Sequence, residues 1–175
     1  IMTGDLQPMV QSSDKKYLFL SDVEGSYKQL DVKKQKFIKN YGKIHARIYS
    51  IAIASDGKYL WTSDIEGNGH LKQFSVRHGK MIKDHGPIFE CEVYSITTTP
   101  DNKWLFAGSS EGHLKQISLE SQQVVHDYRQ IHDSCINCLE TTTDSKWLIT
   151  GGYDQHVKRI SVENRQVDKD FGQVC

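Results

Sequence analysis

Asp14-Lys15-Lys16-Tyr17-Leu18 returns as Asp56-Gly57-Lys58-Tyr59-Leu60, as Asp101-Asn102-Lys103-Trp104-Leu105 and as Asp144-Ser145-Lys146-Trp147-Leu148, at offsets of 42, 45 and 43 residues. A second phrase keeps the same beat: Lys28-Gln29-Leu30-Asp31, Lys72-Gln73-Phe74-Ser75, Lys115-Gln116-Ile117-Ser118 and Lys158-Arg159-Ile160-Ser161. The Asp-x-Lys element has turn chemistry, because a short Asp side chain bonds its own backbone. The unbroken apolar run behind it reads as a strand covered on both faces.

Working outward, each unit holds four extended segments. The first spans Arg47 to Ala54, Glu92 to Thr99 and Cys135 to Thr142, rich in β-branched residues and Ser/Thr. The second is the apolar run. A turn at Glu24-Gly25, Glu66-Gly67, Glu111-Gly112 or Asp154-Gln155 leads to the third, which carries the Lys-Gln phrase. The fourth is half-polar (Lys36 to Lys39, Lys80 to Lys83, Gln123 to His126, Gln166 to Lys169), as suits an edge strand blunted by charge. No segment keeps a helical period with caps. An all-β meander with a repeat of about 40–45 residues has the layout of propeller blades. The expected fold is therefore a β-propeller of four blades, each of four antiparallel strands, over residues 1–175, with repeats at about 6–42, 46–86, 91–129 and 135–172.

The chain resembles the WD-repeat family from about Leu6 to Phe171, most clearly in the fourth unit: Ile131-His132, Asp144-Ser145-Lys146, Leu148 to Asp154 and Val157 to Ser161. The family braces each blade with a His–Ser/Thr–Asp–Trp hydrogen-bond tetrad, and the resemblance places His132, Thr150 and Asp154 in three of those positions. Ile160 stands at the tryptophan position, with Leu30, Phe74 and Ile117 as counterparts; Glu24, Glu66 and Glu111 replace the aspartate. Trp61, Trp104 and Trp147 are read as packing at least in part between blades, Trp104 and Trp147 as structural aromatics, with an outward orientation left open as the alternative for Trp61.

Four blades leave an arc with two apolar ends. The expectation is that further blades of the same chain complete the ring, or else that a homodimer of two arcs closes it; Ile1-Met2-Thr3-Gly4-Asp5 itself resembles Leu148-Ile149-Thr150-Gly151-Gly152.

Composition narrows function. Lys plus Arg number 22 and Asp plus Glu 22, a formal net charge of zero, so no global basic field draws the chain to nucleic acid or membrane. No apolar run is long enough to span a bilayer and no secretory leader is visible, so a cytoplasmic protein is expected. The four cysteines do not follow the repeat, and Cys135-Ile136-Asn137-Cys138 is a weak metal or redox signal; they are read as reduced and structural. His70, His113 and His156 open successive third strands and are read as turn closers, since equivalent positions on different blades cannot share an ion. Gln29, Gln73 and Gln116 fit either buried hydrogen bonding across blades or an exposed position.

There is no phosphate loop, GxSxG or HExxH motif. The resemblance implies a non-catalytic protein-interaction scaffold without cofactor or metal; the alternative is a propeller enzyme with a central-channel site. The zero net charge hides an axial polarity. Asp22, Glu24, Asp64, Asp84, Glu90, Glu92, Glu111, Asp133 and Asp154 fall on one rim, while Lys15, Lys16, Lys33, Lys34, Lys58, Lys103 and Lys146 fall on the other. The expected partner site lies on the acidic rim at the channel mouth: Arg47, Tyr49, Glu92, Tyr94, Asp133, Asn137 and Tyr153. A basic protein segment is the expected partner.

Overall fold

The computed structural model describes residues 8–22, 25–43, 48–64 and 69–173. Four sheets of four antiparallel strands follow one another along the chain, and no helix occurs among the described residues. The first comprises β1 (Met9–Gln11), β2 (Tyr17–Ser21), β3 (Ser26–Asp31) and β4 (Lys36–Lys43). The second comprises β5 (Ile48–Ile53), β6 (Tyr59–Asp64), β7 (His70–Ser75) and β8 (Lys80–Pro87). The third runs through β9 (Val93–Thr98), β10 (Trp104–Ser109), β11 (His113–Ser118) and β12 (Val124–Gln130), and the fourth through β13 (Ile136–Thr141), β14 (Trp147–Gly152), β15 (His156–Ser161) and β16 (Gln166–Gln173). The inner strands β1, β5, β9 and β13 lie side by side, so the sheets are blades stacked around a channel.

The repeated Asp-x-Lys phrase has a direct cause. Oδ1 of Asp14, Asp56, Asp101 and Asp144 accepts the backbone N–H two residues on, at 2.9–3.1 Å. Ser12, Thr99 and Thr142 hydroxyls donate to the same aspartates and accept the N–H that opens the second strand. The turn needs a left-handed residue, supplied by Lys15, Gly57, Asn102 and Ser145.

Packing runs between blades. Phe19, Trp61 and Phe106 occupy one register of the second strand, are at most 1% exposed, and face the following blade. Leu60, Leu105 and Leu148, each 0% exposed, face the preceding one. Trp61 is buried, so its outward alternative does not hold, while Trp104 and Trp147 are half-buried. Register explains the difference: Trp104 and Trp147 align with Tyr17 and Tyr59 at the strand start, and Trp61 sits two residues further in.

The outer strands carry a bulge whose geometry organises the rest. Asn40, Asp84, Asp127 and Asp170 accept the N–H of Gly42, Gly86, Arg129 and Gly172, all with positive φ. The residue between is rolled inward: Tyr41 Oη donates to Gln29 Oε1 at 2.9 Å, and Tyr128 Oη to Gln116 Oε1 at 3.0 Å. Gln29, Gln73 and Gln116 are therefore buried rather than exposed, but only Gln73 bonds across blades, accepting from Gln122 Nε2 at 3.3 Å, while Gln29 and Gln116 bond within their own.

Candidate functional site

Tyr49, Tyr94 and Asn137 each follow the first residue of an inner strand, so three successive blades present them at one height on the channel mouth. The Tyr49 and Tyr94 rings meet at 4.5 Å between centroids and 49° between planes. Burial first, then the Tyr49 hydroxyl and nearby acidic groups, push the Tyr94 hydroxyl up to about 12. Both rings are half-buried, and the channel-side tyrosines brace each other across the blade boundary.

Glu92 lies just before β9. Its Oε2 accepts the Ser110 hydroxyl at 2.8 Å, and that hydrogen bond holds the carboxyl below its ordinary range, so it stays ionised. Cys135 precedes β13, is buried, and donates its thiol to Asn137 Oδ1 at 2.9 Å. Burial, then the charge of Glu92, pushes this thiol up to about 11, which leaves it protonated and unreactive at neutral pH. Tyr153 is 66% exposed and is anchored by its N–H to the Cys135 carbonyl at 2.9 Å. Asp133 is exposed and joins Glu111 in a shallow cleft of about 390 Å3, with Ser110, His113, Gln130 and Ser134 around it. Arg47 lies outside the described residues, as do Glu24 and Glu66.

The fourth blade holds three of the four tetrad positions as hydrogen-bonded groups. His132 Nδ1 meets both Asp154 oxygens at 2.9 Å and Nε2 meets Thr150 Oγ1 at 2.7 Å, with His132 and Thr150 sealed from solvent. Ile160, 0% exposed, packs at the fourth position. Burial acts to raise the Asp154 carboxyl, but the N–H groups of His156 and Asp133 and the His132 ring outweigh it and hold it below its usual value. The first three blades solve the same problem elsewhere: Asp22, Asp64 and Ser109, at the end of the second strand, accept the N–H that opens the third strand. Sequence reading missed this shift, although an Asp, Asp, Ser, Gly series at residues 22, 64, 109 and 152 was there to be seen.

These turns change which of the rim's carboxylates face outward. Asp22, Asp64 and Asp154 point into their own turns, and Asp84 pairs with His70 at 3.2 Å, which leaves Glu90, Glu92, Glu111 and Asp133 as outward acids among the described residues. His156 likewise pairs with Asp170 at 3.0 Å, so two of the three repeated histidines tie the third strand to the fourth by their rings.

A family described as "WD domain, G-beta repeat" matches residues 79–118 and 123–159. These two stretches match the WD repeat. Each matched WD repeat starts on the outer strand of one blade and ends on the third strand of the next, so repeat and sheet are offset by one strand. Each matched repeat thus straddles a blade boundary, the first between the second and third blades and the second between the third and fourth. No curated protein matches the chain. Among solved structures, a chain described as "Kuenenia stuttgartiensis Hydrazine Synthase" superposes on 97% of this chain with a TM-score of 0.81 and 17% sequence identity. The present chain spans 51% of that one, and at this identity the likeness concerns the blade-type propeller fold. No helix among the described residues is long and apolar enough to cross a membrane.

Proposed function

We propose that the chain is a non-catalytic protein-interaction scaffold, the propeller portion of a larger regulatory or assembly protein of the cytoplasm, and that it holds a basic segment of its partner at the channel mouth. The observation that carries this reading is the grouping on one rim of an exposed Tyr153, the Tyr49–Tyr94 ring pair and the ionised Glu92. Tyrosine gives contact area with a polar tip, and fixed carboxylates attract Lys and Arg. The turns that display these groups are tied into rigid blades, so little ordering entropy opposes binding. Tyr94 and Cys135 stay neutral and Glu92 stays charged at pH 7, a set suited to contact rather than to proton transfer.

The test is affinity capture from lysate followed by calorimetry with a Lys/Arg-rich segment of the captured partner. Tyr153→Ala combined with Glu92→Lys is expected to weaken binding about tenfold or more, roughly 1.4 kcal/mol, and to leave thermal unfolding nearly unchanged. Full affinity in that variant, together with loss of binding on charge reversal of Lys33 and Lys34, would move the site to the opposite rim.

A further inference from the structure

The turn between the third and fourth strands, with the start of the fourth, reads Val32-Lys33-Lys34-Gln35-Lys36-Phe37-Ile38-Lys39 in the first blade and Val76-Arg77-His78-Gly79-Lys80-Met81-Ile82-Lys83 in the second. At the same positions the third and fourth blades read Leu119-Glu120-Ser121-Gln122-Gln123-Val124-Val125-His126 and Val162-Glu163-Asn164-Arg165-Gln166-Val167-Asp168-Lys169. The first two phrases are rich in Lys and Arg and hold no acid; Glu120, Glu163 and Asp168 enter only in the last two. The zero net charge conceals this local excess, because the acids that balance it lie elsewhere on the propeller.

The two basic phrases form one surface. Lys39 reaches from the outer strand of the first blade to the turn of the second, where its Nζ donates to the Arg77 carbonyl at 3.0 Å. Gly79 makes room for that lysine, since a Cβ there would run into its side chain. Lys33, Lys34, Lys36, Arg77 and Lys80 are exposed around this join. Asp31, the acid beside them, is 9% exposed and accepts from the Lys34 N–H at 2.9 Å and pairs with its ammonium at 3.3 Å. Next to the cations, Phe37 and Ile38 are 55% and 43% exposed, and Met81 and Ile82 52% and 49%. Met81 keeps this exposure with the first blade packed against its own, so the position belongs to the outer wall of the propeller rather than to the boundary between blades.

Shape and chemistry select what this wall can meet. β4 and β8 are edge strands, but each ladder slips twice, and Ile38 and Ile82 are the unpaired residues of the second slip. Edges broken in this way are poor templates for an added strand. The depression of about 340 Å3 that Phe37 shares with Lys28 and Asn40 is shallow, so it does not seal an anchor side chain of a protein partner. Single-stranded nucleic acid is held by stacking on aromatic rings and Arg, and Ile38, Met81 and Ile82 offer no ring. Aliphatic groups on a convex wall, ringed by lysines with apolar stems and charged tips, suit the boundary between the headgroups and acyl chains of a bilayer.

We propose that the outer wall of the first two blades docks on an anionic lipid surface, with Phe37, Ile38, Met81 and Ile82 entering the headgroup boundary and Lys33, Lys34, Lys36, Arg77 and Lys80 meeting the anionic headgroups. The anionic lipids of a cytoplasmic leaflet supply such a surface. The third-to-fourth turns and the second-to-third turns lie at opposite ends of the strands, so a docked propeller holds its acidic rim away from the membrane. The proposal does not rest on the partner site at that rim, which stays reachable.

Co-sedimentation with vesicles tests it. Phosphatidylcholine vesicles with about 30% phosphatidylserine should carry the chain down at low salt and release it as the Debye length shrinks to about 3 Å at 1 M, while phosphatidylcholine alone should not carry it. Lys33→Glu, Lys34→Glu, Arg77→Glu and Lys80→Glu together should weaken partitioning at least about a hundredfold, from about fivefold per cation. Phe37→Ser with Met81→Ser should weaken it about tenfold or more. Lys103→Glu with Lys146→Glu, on the same rim of the other two blades, should change it less than about threefold. All of these positions are exposed, so each variant should melt with the parent. Absence of sedimentation with the anionic vesicles, an equal loss on reversing Lys103 and Lys146, or full binding by the Phe37 and Met81 variant would each overturn the proposal. Tighter binding of duplex RNA than of the vesicles through the same cations would overturn it in favour of nucleic acid.

Discussion

Trp61 offers the sharpest test of how the blades are held together. Its ring is 1% exposed and packs with Leu71, Val93, Leu105 and Ile117, residues of its own blade and the next. The His85 ring lies against it at 5.1 Å. Trp61→Ala removes the largest fully buried side chain of the molecule. Such truncations cost about 3–5 kcal/mol, lost transfer energy plus the cavity left behind. For a chain of this size each kcal/mol lowers the midpoint by about 2–4 °C, so a fall of about 6–20 °C is expected in a thermal melt.

Two controls locate the effect. Tyr59 sits two residues earlier on the same strand and is 40% exposed, so Tyr59→Ala should cost less than about 1 kcal/mol. Trp61→Phe places in the site the side chain that Phe19 and Phe106 already carry at this register, and removes an indole N–H that has no partner. An orphaned buried donor costs roughly 1–3 kcal/mol, which offsets much of the lost ring area, so Trp61→Phe should stay within about 1.5 kcal/mol of the parent. The reasoning is refuted if Tyr59→Ala unfolds as early as Trp61→Ala, or if Phe is tolerated no better than Ala.

Other outcomes follow from single contacts. Asp154→Asn should lower stability at pH 7 by about 2 kcal/mol, because three donors lose a charged acceptor. The folded Asp154 carboxyl lies below its usual value, so its contribution is complete above that usual value and disappears as pH falls through the lowered one; melts at pH 7 and in strong acid should show the gap to the parent closing. Gly112→Ala should cost at least about 2 kcal/mol, since φ is +78° and a Cβ would run into the backbone of His132 and Ser134, whereas Gly57→Ala, in open space at φ +68°, should cost about 1 kcal/mol in urea titration. Tyr128→Phe should cost about 1–3 kcal/mol in the same assay, because the Gln116 amide is fully buried and already lacks a partner for its nitrogen.

Local chemistry made the blades readable. The Asp-x-Lys turn is closed by atoms within five residues of one another, so its sequence repeats wherever its geometry does. The second strand likewise announces itself, because burial on both faces admits only apolar side chains. Trp61 was legible by the same logic, and its orientation was left open for a specific reason: residue type was given more weight than position. Counting from the turn aligns Trp61 with Phe19 and Phe106, and that register, rather than the presence of an indole, decides which ring is sealed.

Burial of the glutamines needed information the third strand does not contain. Gln29 and Gln116 accept at their amide oxygens from tyrosines twelve residues later, and those tyrosines turn inward because a bulge closed by Asn40 or Asp127 rolls the outer strand. The signal was present as Asn40-Tyr41-Gly42, Asp84-His85-Gly86, Asp127-Tyr128-Arg129 and Asp170-Phe171-Gly172, a third repeated phrase in strands whose polarity had marked them as mere edges. The same lesson bears on the rim. Counting acids along the turns overstates the carboxylates free to meet a partner, since aspartates that close turns direct their oxygens at the backbone. Glu92, Glu111 and Asp133 close no turn of that kind, and they remain to meet a cation.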